Sequence, residues 1–541
     1  MMANGLGLED AYGATLGRIQ AQGGERSRLG MAALMWICHS ERPLKADELC
    51  HALGVKIGST DFDLDNVPSI RTVLSCCQGL VLVDKEGSTV RLVHFTLREY
   101  LSGRPDLFQK PHSVIAETCL TYLNSQQIMN FSAVLIPDNG AFTFLRFSAL
   151  YWGTHGKKEL SDDVKSLALK LFGQYDNHIS IEPLLEPRYT PFGLHSQLSL
   201  FNGLHCAAFF GLVEVVRSLI EMGGFDINQG GPLGISPMGW AAQNGHEEVV
   251  ELLLGRGDVN PDKSDNYGQT TLAYAAMNGH EGVVQLLLRR RDVNPDRRDD
   301  LNRTPIGYAA ENGREGVAQL LLRRRDVNPD RRGDHGQTPL TFAAKNGHEG
   351  VTRLLLGRGG VNPDRPDDLN RTPLGYAAEN GHEGVAQLLL ERGDVNPDKR
   401  GGHGLTPLAY AIMNEHEGVV RLLLGRADLN PDKPGGGNQT PLAYAAVKGY
   451  EGVVRLLLRR GDISPDRLGD LGRTPLSHAA ENGHEGVVRL LLGRGDVDPD
   501  RLDMLGQTPL LRAKIGRHKG IIKLILDWKS SRLSPPRSSE A

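Results

Sequence analysis

The sequence predicts a mainly α-helical protein, in which a small α+β domain and a helical connector precede a solenoid of about ten short repeats. Two observations carry this. The phrase Thr372-Pro373-Leu374-Gly375-Tyr376-Ala377-Ala378-Glu379-Asn380-Gly381-His382-Glu383 recurs nearly unchanged from Thr304, Thr338, Thr406, Thr440, Thr474 and Thr508, with degenerate versions from Thr270, Ser236 and Asn202. Each step is 34 residues, so the copies run without a gap from about Asn202 to Trp528. Self-similarity at such a period marks a stack in which no single copy buries its own apolar face. Ahead of the array the apolar spacing changes once from 3.6 to 2, which marks a hairpin among helices.

In chain order, residues 6–40 read as helical segments around a polar break at Gln20–Arg28, with Leu29, Ala32, Ala33, Trp36 and Ile37 at helical spacing. Arg42-Pro43-Leu44 starts a second helix that presents Ala46, Leu49, Cys50 and Leu53 on one face. An acidic loop, Ser59–Asn66, leads to Pro68 and a third helix ending near Gln78. Val81-Leu82-Val83 and Val90–His94 flank a turn at Lys85–Ser88, and His94–Leu101 closes the unit as a short helix. Three helices and a two-stranded wing describe a winged-helix domain over 29–105. Residues 106–200 form a connector with helices at Ala116–Leu123, Phe144–Trp152 and Asp163–Phe172 and a Pro-containing linker from Pro183 to Ser199. The Ser/Pro/Arg-rich stretch 529–541 reads as a disordered tail.

Within the repeats at 201–528, Thr304 is a good helix N-cap and Pro305 occupies the first helical position, where a missing N–H is harmless. Asn312-Gly313 ends that helix after about two turns. A second helix, Glu315–Leu322, ends in basic residues suited to its negative pole, and the charged loop Asp326–Asp330 follows. Tetratricopeptide repeats share the 34-residue period. The short helix, turn, longer helix and extended loop instead resemble the ankyrin repeat, whose T-P-L-H-x-A signature stands here mostly as T-P-L-x-[YF]-A-A. The signature His occurs only at His205, and Gly307, Thr341, Gly375, Ala409 and Ser477 replace it elsewhere. The resemblance implies protein–protein recognition.

Two further phrases, Arg42-Pro43-Leu44 with Glu48-Leu49 and Ala52-Leu53, and His94-Phe95-Thr96-Leu97-Arg98-Glu99-Tyr100-Leu101, resemble the winged-helix segment of fungal NACHT-type signalling ATPases. Residues 1–28 resemble the end of the preceding ATPase module. In that family the segment follows a nucleotide-binding domain and precedes ankyrin or other repeats. The resemblance makes this chain the recognition half of an NLR-like receptor, with a NACHT module in cis or trans as an expected partner.

No G-x-x-x-x-G-K-[ST] phosphate loop occurs, and Gly153-Thr154-His155-Gly156-Lys157-Lys158 has the wrong spacing. We therefore expect neither enzyme activity nor a cofactor. The recurrent His-Glu pairs at His246, His280, His348, His382, His416 and His484 lack a second His four residues on, so a role in tying the inter-helix turn is favoured over metal. The Asp-rich loops miss the glycine and glutamate that a calcium loop requires, and read as turns. Arg289–Arg291 and Arg323–Arg325 sit at helix C-termini beside aspartates, a dipole complement and solvated face. A net charge of −4 announces no nucleic-acid binder. The third helix, Ser69–Gln78, offers a single Arg, so a nucleic-acid-associated regulator using the winged helix is the alternative rather than the leading function. Five of six cysteines precede the array without C-x-x-C spacing and read as reduced, buried thiols. The longest apolar run, Met31–Cys38, is too short to span a bilayer, and a cytoplasmic location is expected.

Helical phase then nominates a surface. With Leu374 at zero, Ala377 and Ala378 fall at about 300° and 40°, whereas Tyr376 falls near 200° and Glu379 near 140°. Trp240, Tyr274, Tyr308, Phe342, Tyr376, Tyr410 and Tyr444 should therefore face outward, on the side that lines the concave groove in ankyrin folds. The competing reading packs these rings flat over the next repeat. Glu311, Lys345 and Glu379 occupy a variable position after the Ala pair, and the loop tips vary too. Together they form the expected partner-binding surface.

Overall fold

The structure, a computed structural model, describes residues 7–84, 86–130, 142–175, 178–189, 200–436 and 439–533. These residues form two compact units, divided between Thr271 and Leu272.

The first unit opens with α1 (Leu8–Ala21), α2 (Gly24–His39), α3 (Ala46–Gly54), α4 (Ile70–Cys76), β1 (Val81–Val83), β2 (Val90–Leu92) and α5 (Phe95–Ser102). β1 and β2 pair antiparallel, Val81 opposite Leu92 and Val83 opposite Val90, as the period change predicts. Ile19, Leu34, Leu49, Val73 and Leu97 fill the core beneath them. α2 and α4 approach so closely that a Cβ on Gly30 would meet the carbonyl of Cys76 at 2.7 Å. Two boundaries differ from the sequence reading. The polar stretch Gln20–Arg28 breaks the helix only at Gln22 and Gly23. There Gly23 and Gly24 adopt positive φ, and Glu25 and Arg28 pair on the solvent side of α2. The helix expected from Arg42 begins at Ala46. Residues 44 and 45 are instead extended against the wing: Val90 N–H donates to Leu44 O at 2.9 Å and Ala46 N–H to Ser88 O at 2.8 Å. Arg42 reaches forward to clasp both oxygens of Glu48 at 2.8 and 2.6 Å.

The connector follows as α6 (Pro111–Leu123), α7 (Gln126–Met129), α8 (Leu145–Lys158), α9 (Asp162–Phe172) and α10 (Ile181–Tyr189). Gly153–Lys158, the nearest approach to a phosphate loop, lies inside α8 and so cannot wrap an anion. Part of the expected linker, up to Tyr189, is α10; residues 190–199 lie outside the described residues. Two helix pairs, Gly203–Phe210 with Val213–Met222 and Pro237–Gln243 with Glu247–Leu254, complete this unit. All six cysteines are buried and unbridged, and burial pushes the Cys77 and Cys206 thiols up to about 12.

The second unit stacks eight more pairs, from Thr271–Asn278 with Glu281–Leu288 to Pro509–Ile515 with Lys519–Leu533. Its first helices begin as the sequence predicts. Thr372 Oγ1 accepts the Gly375 amide at 3.1 Å, Thr440 that of Ala443 at 3.1 Å, and Pro follows each cap. Leu374, Ala377 and Ala378 are fully buried. The stretch 529–533, expected in a disordered tail, is the end of the last helix, and 534–541 lie outside the described residues. Trp528 anchors it by donating Nε1–H to Leu492 O at 2.7 Å, under the Arg532 guanidinium.

This last pair covers Val487, Val488 and Leu491 of its neighbour, as an end repeat must. Removing 508–533 should expose them and make the protein self-associate, seen by size-exclusion chromatography. Trp528→Phe, which loses one hydrogen bond, should lower stability by about 1 kcal/mol while leaving the chain monomeric.

Candidate functional site

The outward aromatic column is corrected by the structure. Trp240 is 0% exposed, Tyr308 and Tyr376 1%, Phe342 6%, and Tyr274 and Tyr410 7%, while Tyr444 is half-buried. The first helix of each repeat is only about two turns long, and its own loop tip folds over the side opposite the Leu/Ala stripe. Tyr376 donates its O–H to Asp367 Oδ2 at 2.5 Å and receives the Gln337 amide at 2.9 Å. Tyr308 donates likewise to Asp299, and Tyr410 to the carbonyl of Gly402 at 3.1 Å. Arg371 and Arg303 lie over the rings of Tyr376 and Tyr308, 4.3 and 4.6 Å from their centroids.

The loop tips fall into two kinds matched to those rings. Asp299, Asp367 and Asp503 each accept two backbone amides of the turn they begin, at 2.7 to 3.0 Å. Their second oxygen takes the column residue nine positions on: Tyr308, Tyr376 or Arg512. Where the tip begins with Gly333, Gly401 or Gly469, a residue at positive φ (His335, His403, Leu471) makes the turn, and the column holds Phe342, Tyr410 or His478. Part of the tip variation is therefore structural.

The surface itself is built by the variable position after the Ala pair. Glu379 meets Arg371 at 2.9 Å, Glu311 meets Arg303 at 3.5 Å, and Lys345 is exposed with its ammonium 5.9 Å from the Tyr376 ring centroid. Met413 is 40% exposed in the same row. Beside it Leu405, Ala409, Ile412, Gly435 and Tyr444 line a largely apolar cavity of about 370 Å³.

The recurrent histidines fix this row. Nε2–H of His348 donates to Glu311 O at 3.0 Å, His382 to Lys345 O at 3.0 Å, His416 to Glu379 O at 3.1 Å and His484 to Val447 O at 2.9 Å. Each ring thus reaches the preceding repeat and holds the backbone where its first helix enters the inter-helix turn. Arg314 substitutes for His by donating to Met277 O at 3.2 Å. At Tyr450 no such bond to Met413 is formed among the described residues. A Cβ on Gly384 would meet the carboxylate of Glu349, which would have to swing aside.

The arginines at the second-helix ends are also inter-repeat groups. Arg324, Arg392, Arg426 and Arg460 each clasp the Asp two residues on and donate to the last carbonyl of the preceding second helix (Leu288, Leu356, Leu390, Leu424) at 2.6 to 2.9 Å. Carbonyls left unpaired at a helix C-terminus are thereby satisfied from the next repeat. The Asp-rich loops act similarly: Asp364, Asp398 and Asp432 accept the amides of Asn396, Asn430 and Ser464 at 2.7 to 2.9 Å. The signature His205 bonds Asn202 Oδ1 at 2.7 Å and Gln229 O at 3.0 Å, and burial depresses it to about 4, so it stays neutral. Thr341 and Ser477 take its place with hydroxyl contacts of 3.0 and 3.1 Å to their N-cap threonines.

Comparison with known families agrees with this architecture. The family described as Ankyrin repeats (3 copies) matches residues 204–299, 240–332, 306–400, 393–468 and 462–533, more than half of the chain. The chain is an ankyrin-repeat protein. Residues 18–107 match the family described as GPI inositol-deacylase, winged helix domain, so the array is preceded by a winged-helix domain whose match begins inside α1. Among solved structures, the crystal structure of the ankyrin repeat domain of Bcl-3, described as a unique member of the IkappaB protein family, is 27% identical. It covers 42% of this chain and 98% of its own, with a TM-score of 0.38. No curated protein matches the ankyrin-repeat protein. No described helix is long and apolar enough to cross a membrane.

Two predictions follow the corrected roles. Tyr376→Ser empties a buried site and should destabilise the second unit by about 3–5 kcal/mol in denaturant unfolding, whereas Tyr376→Phe, which removes only the hydroxyl and with it the bonds to Asp367 and from Gln337, should cost about 1–3 kcal/mol. The two aspartate columns should respond to pH in opposite ways. Burial holds the carboxyls of Asp364, Asp432 and Asp466 above the usual value, whereas hydrogen bonds from Arg392, Arg426 and Arg460 hold those of Asp394, Asp428 and Asp462 below it. A raised carboxyl costs stability at neutral pH, and that cost fades as pH falls through its folded value; a lowered one contributes stability that is lost as pH falls through its own. As pH drops toward about 4, wild type should gain on Asp432→Asn in denaturant midpoint; below about 4 its advantage over Asp428→Asn should shrink.

Proposed function

We propose that this ankyrin-repeat protein is a protein-recognition scaffold whose partner lies along the variable ends of the first helices. The row comprises Met277, Glu311, Lys345, Glu379, Met413 and Val447, with the adjoining loop tips. One observation carries this reading: the backbone carbonyls of Met277, Glu311, Lys345, Glu379 and Val447 are pinned by the next repeat, while the side chains stay at the surface. Pinned backbones lower the ordering cost of binding, and varied side chains set specificity. The buried rings support the row from beneath rather than contacting the partner. The matching partner is a protein segment that places an apolar side chain in the cavity beside Met413, with charges of both signs over Lys345 and Glu379.

We read the biological setting as the recognition half of an NLR-like receptor, supported by the winged-helix domain followed by ankyrin repeats in one chain and by the His94–Leu101 phrase. A NACHT module would pack against the apolar face of the wing, where Leu82 and Val93 are each 44% and Phe95 70% exposed. This role is one of binding rather than catalysis. On α4, Arg71 is the one cation, which disfavours nucleic acid.

The test is selection of binders from a displayed random-peptide library, followed by affinity measurement against Met413→Asp and Glu379→Lys. Met413→Asp is at the surface and should change stability by less than about 0.5 kcal/mol, whereas Glu379→Lys also gives up the pair with Arg371 and should cost about 1 kcal/mol. Selected peptides should carry an apolar anchor and lose about tenfold or more in affinity, equivalent to about 1.4 kcal/mol. Equal binding to both variants would reject the row, and steeply salt-dependent binding to generic duplex DNA would favour the winged-helix alternative.

A further inference from the structure

Outside the array, three elements of the first unit bring metal-ligating groups to one point. Glu41 follows α2, His112 is in the first turn of α6, and His155 is in the last turn of α8. One ligand atom from each lies within 4.8 Å of the others. The Nδ1 atoms of His112 and His155 are 2.7 Å apart, their rings tilted at 30° with centroids 5.0 Å apart. His155 is 0% exposed, and its Nε2 has no hydrogen-bond partner among the described residues. A buried imidazole ordinarily has one nitrogen oriented by a carbonyl or carboxylate. Among the described residues the only hydrogen-bond partner of the ring is another imidazole nitrogen, so two nitrogen donors are aimed at the same small volume, beside a carboxylate at its solvent edge.

We propose that Glu41, His112 and His155 form a site for a zinc-class divalent cation. Two imidazoles and a carboxylate are a ligand set suited to Zn(II), with a fourth position open to water. Zn–N bonds of about 2.0–2.1 Å in a tetrahedral site require the two nitrogens to stand about 3.3 Å apart, so the rings open by about 0.6 Å. Glu41 now pairs with Lys158 Nζ at 2.5 Å, and that ammonium, exposed at the end of α8, turns out to water when the carboxylate takes up the cation. Around the site stand His39, whose ring packs edge-on to His112 at 5.6 Å, and Glu159, which accepts the Ser113 amide at 3.0 Å and holds the first turn of α6 against α8. The bound cation would tie the α2–α3 turn of the winged-helix domain to both connector helices, a clamp that is independent of the partner row.

The test uses the full chain, freed of metal with a chelator and titrated with Co(II) and then Zn(II). One Co(II) per chain should bind with the visible absorption of a four-coordinate centre, Zn(II) should displace it, and the melting temperature should rise with free metal. Even outer-shell losses weaken metal sites by about 10–100-fold, so His112→Gln and Glu41→Gln should each weaken binding about tenfold or more. Glu41 is exposed, so Glu41→Gln keeps the test valid if substitutions at the buried His155 prevent folding. No binding at about 100 µM free metal, or binding unchanged in either variant, would overturn the proposal.

Discussion

Every repeat in the second unit leaves polar backbone groups at its ends that only the following repeat can satisfy. An α-helix of eight residues has about twice as many unpaired terminal groups as internal bonds. Without partners in the next copy, Glu311 O, Leu390 O and their equivalents would be half-buried and unmatched. His348, Arg426 and their equivalents meet that requirement, always in the same direction along the chain. The apolar stripe of Leu374, Ala377 and Ala378 drives stacking, but hydrophobic contact is non-directional. The hydrogen bonds fix the register in which the stripe is buried. The same bonds make the variable row a fixed platform, so stacking and recognition share one physical cause.

How much of this was legible in the sequence depended on how far apart the interacting residues lie. The caps at Thr304 and Thr372, the two-turn helices and the buried Leu/Ala stripe follow from local spacing, and the structure has them where expected. The aromatic column was misplaced because phase alone says only which side of a helix a residue takes, not what covers that side. Tyr376 does lie opposite Leu374, but the turn beginning at Asp367 closes over it. The signal was present: Asp at the tip accompanies Tyr308, Tyr376 or Arg512 nine residues later, and Gly accompanies Phe342, Tyr410 or His478. Read as isolated loop variation, it could not be told from drift.

The N-terminal region divides similarly. The hairpin was legible because a change of period is a local signal. The start of α3 was not, since residues 44 and 45 are held extended by bonds to Ser88 and Val90, more than forty positions along the chain. The cluster of Glu41, His112 and His155 had no sequence signature, because three separate helix ends converge on it only after the domain and connector pack.

The stack is not uniform. At Tyr450 the histidine that would hold Met413 is missing, Glu415 takes the positive φ that glycine takes in most copies, and the apolar cavity opens at this same junction. Because each copy touches only its neighbours, a load applied to the array is carried in series, and a joint that has lost a tie yields more readily than one that keeps it. Bending would therefore concentrate between the copies beginning at Thr406 and Thr440. Flexure there would widen or narrow the cavity beside Met413.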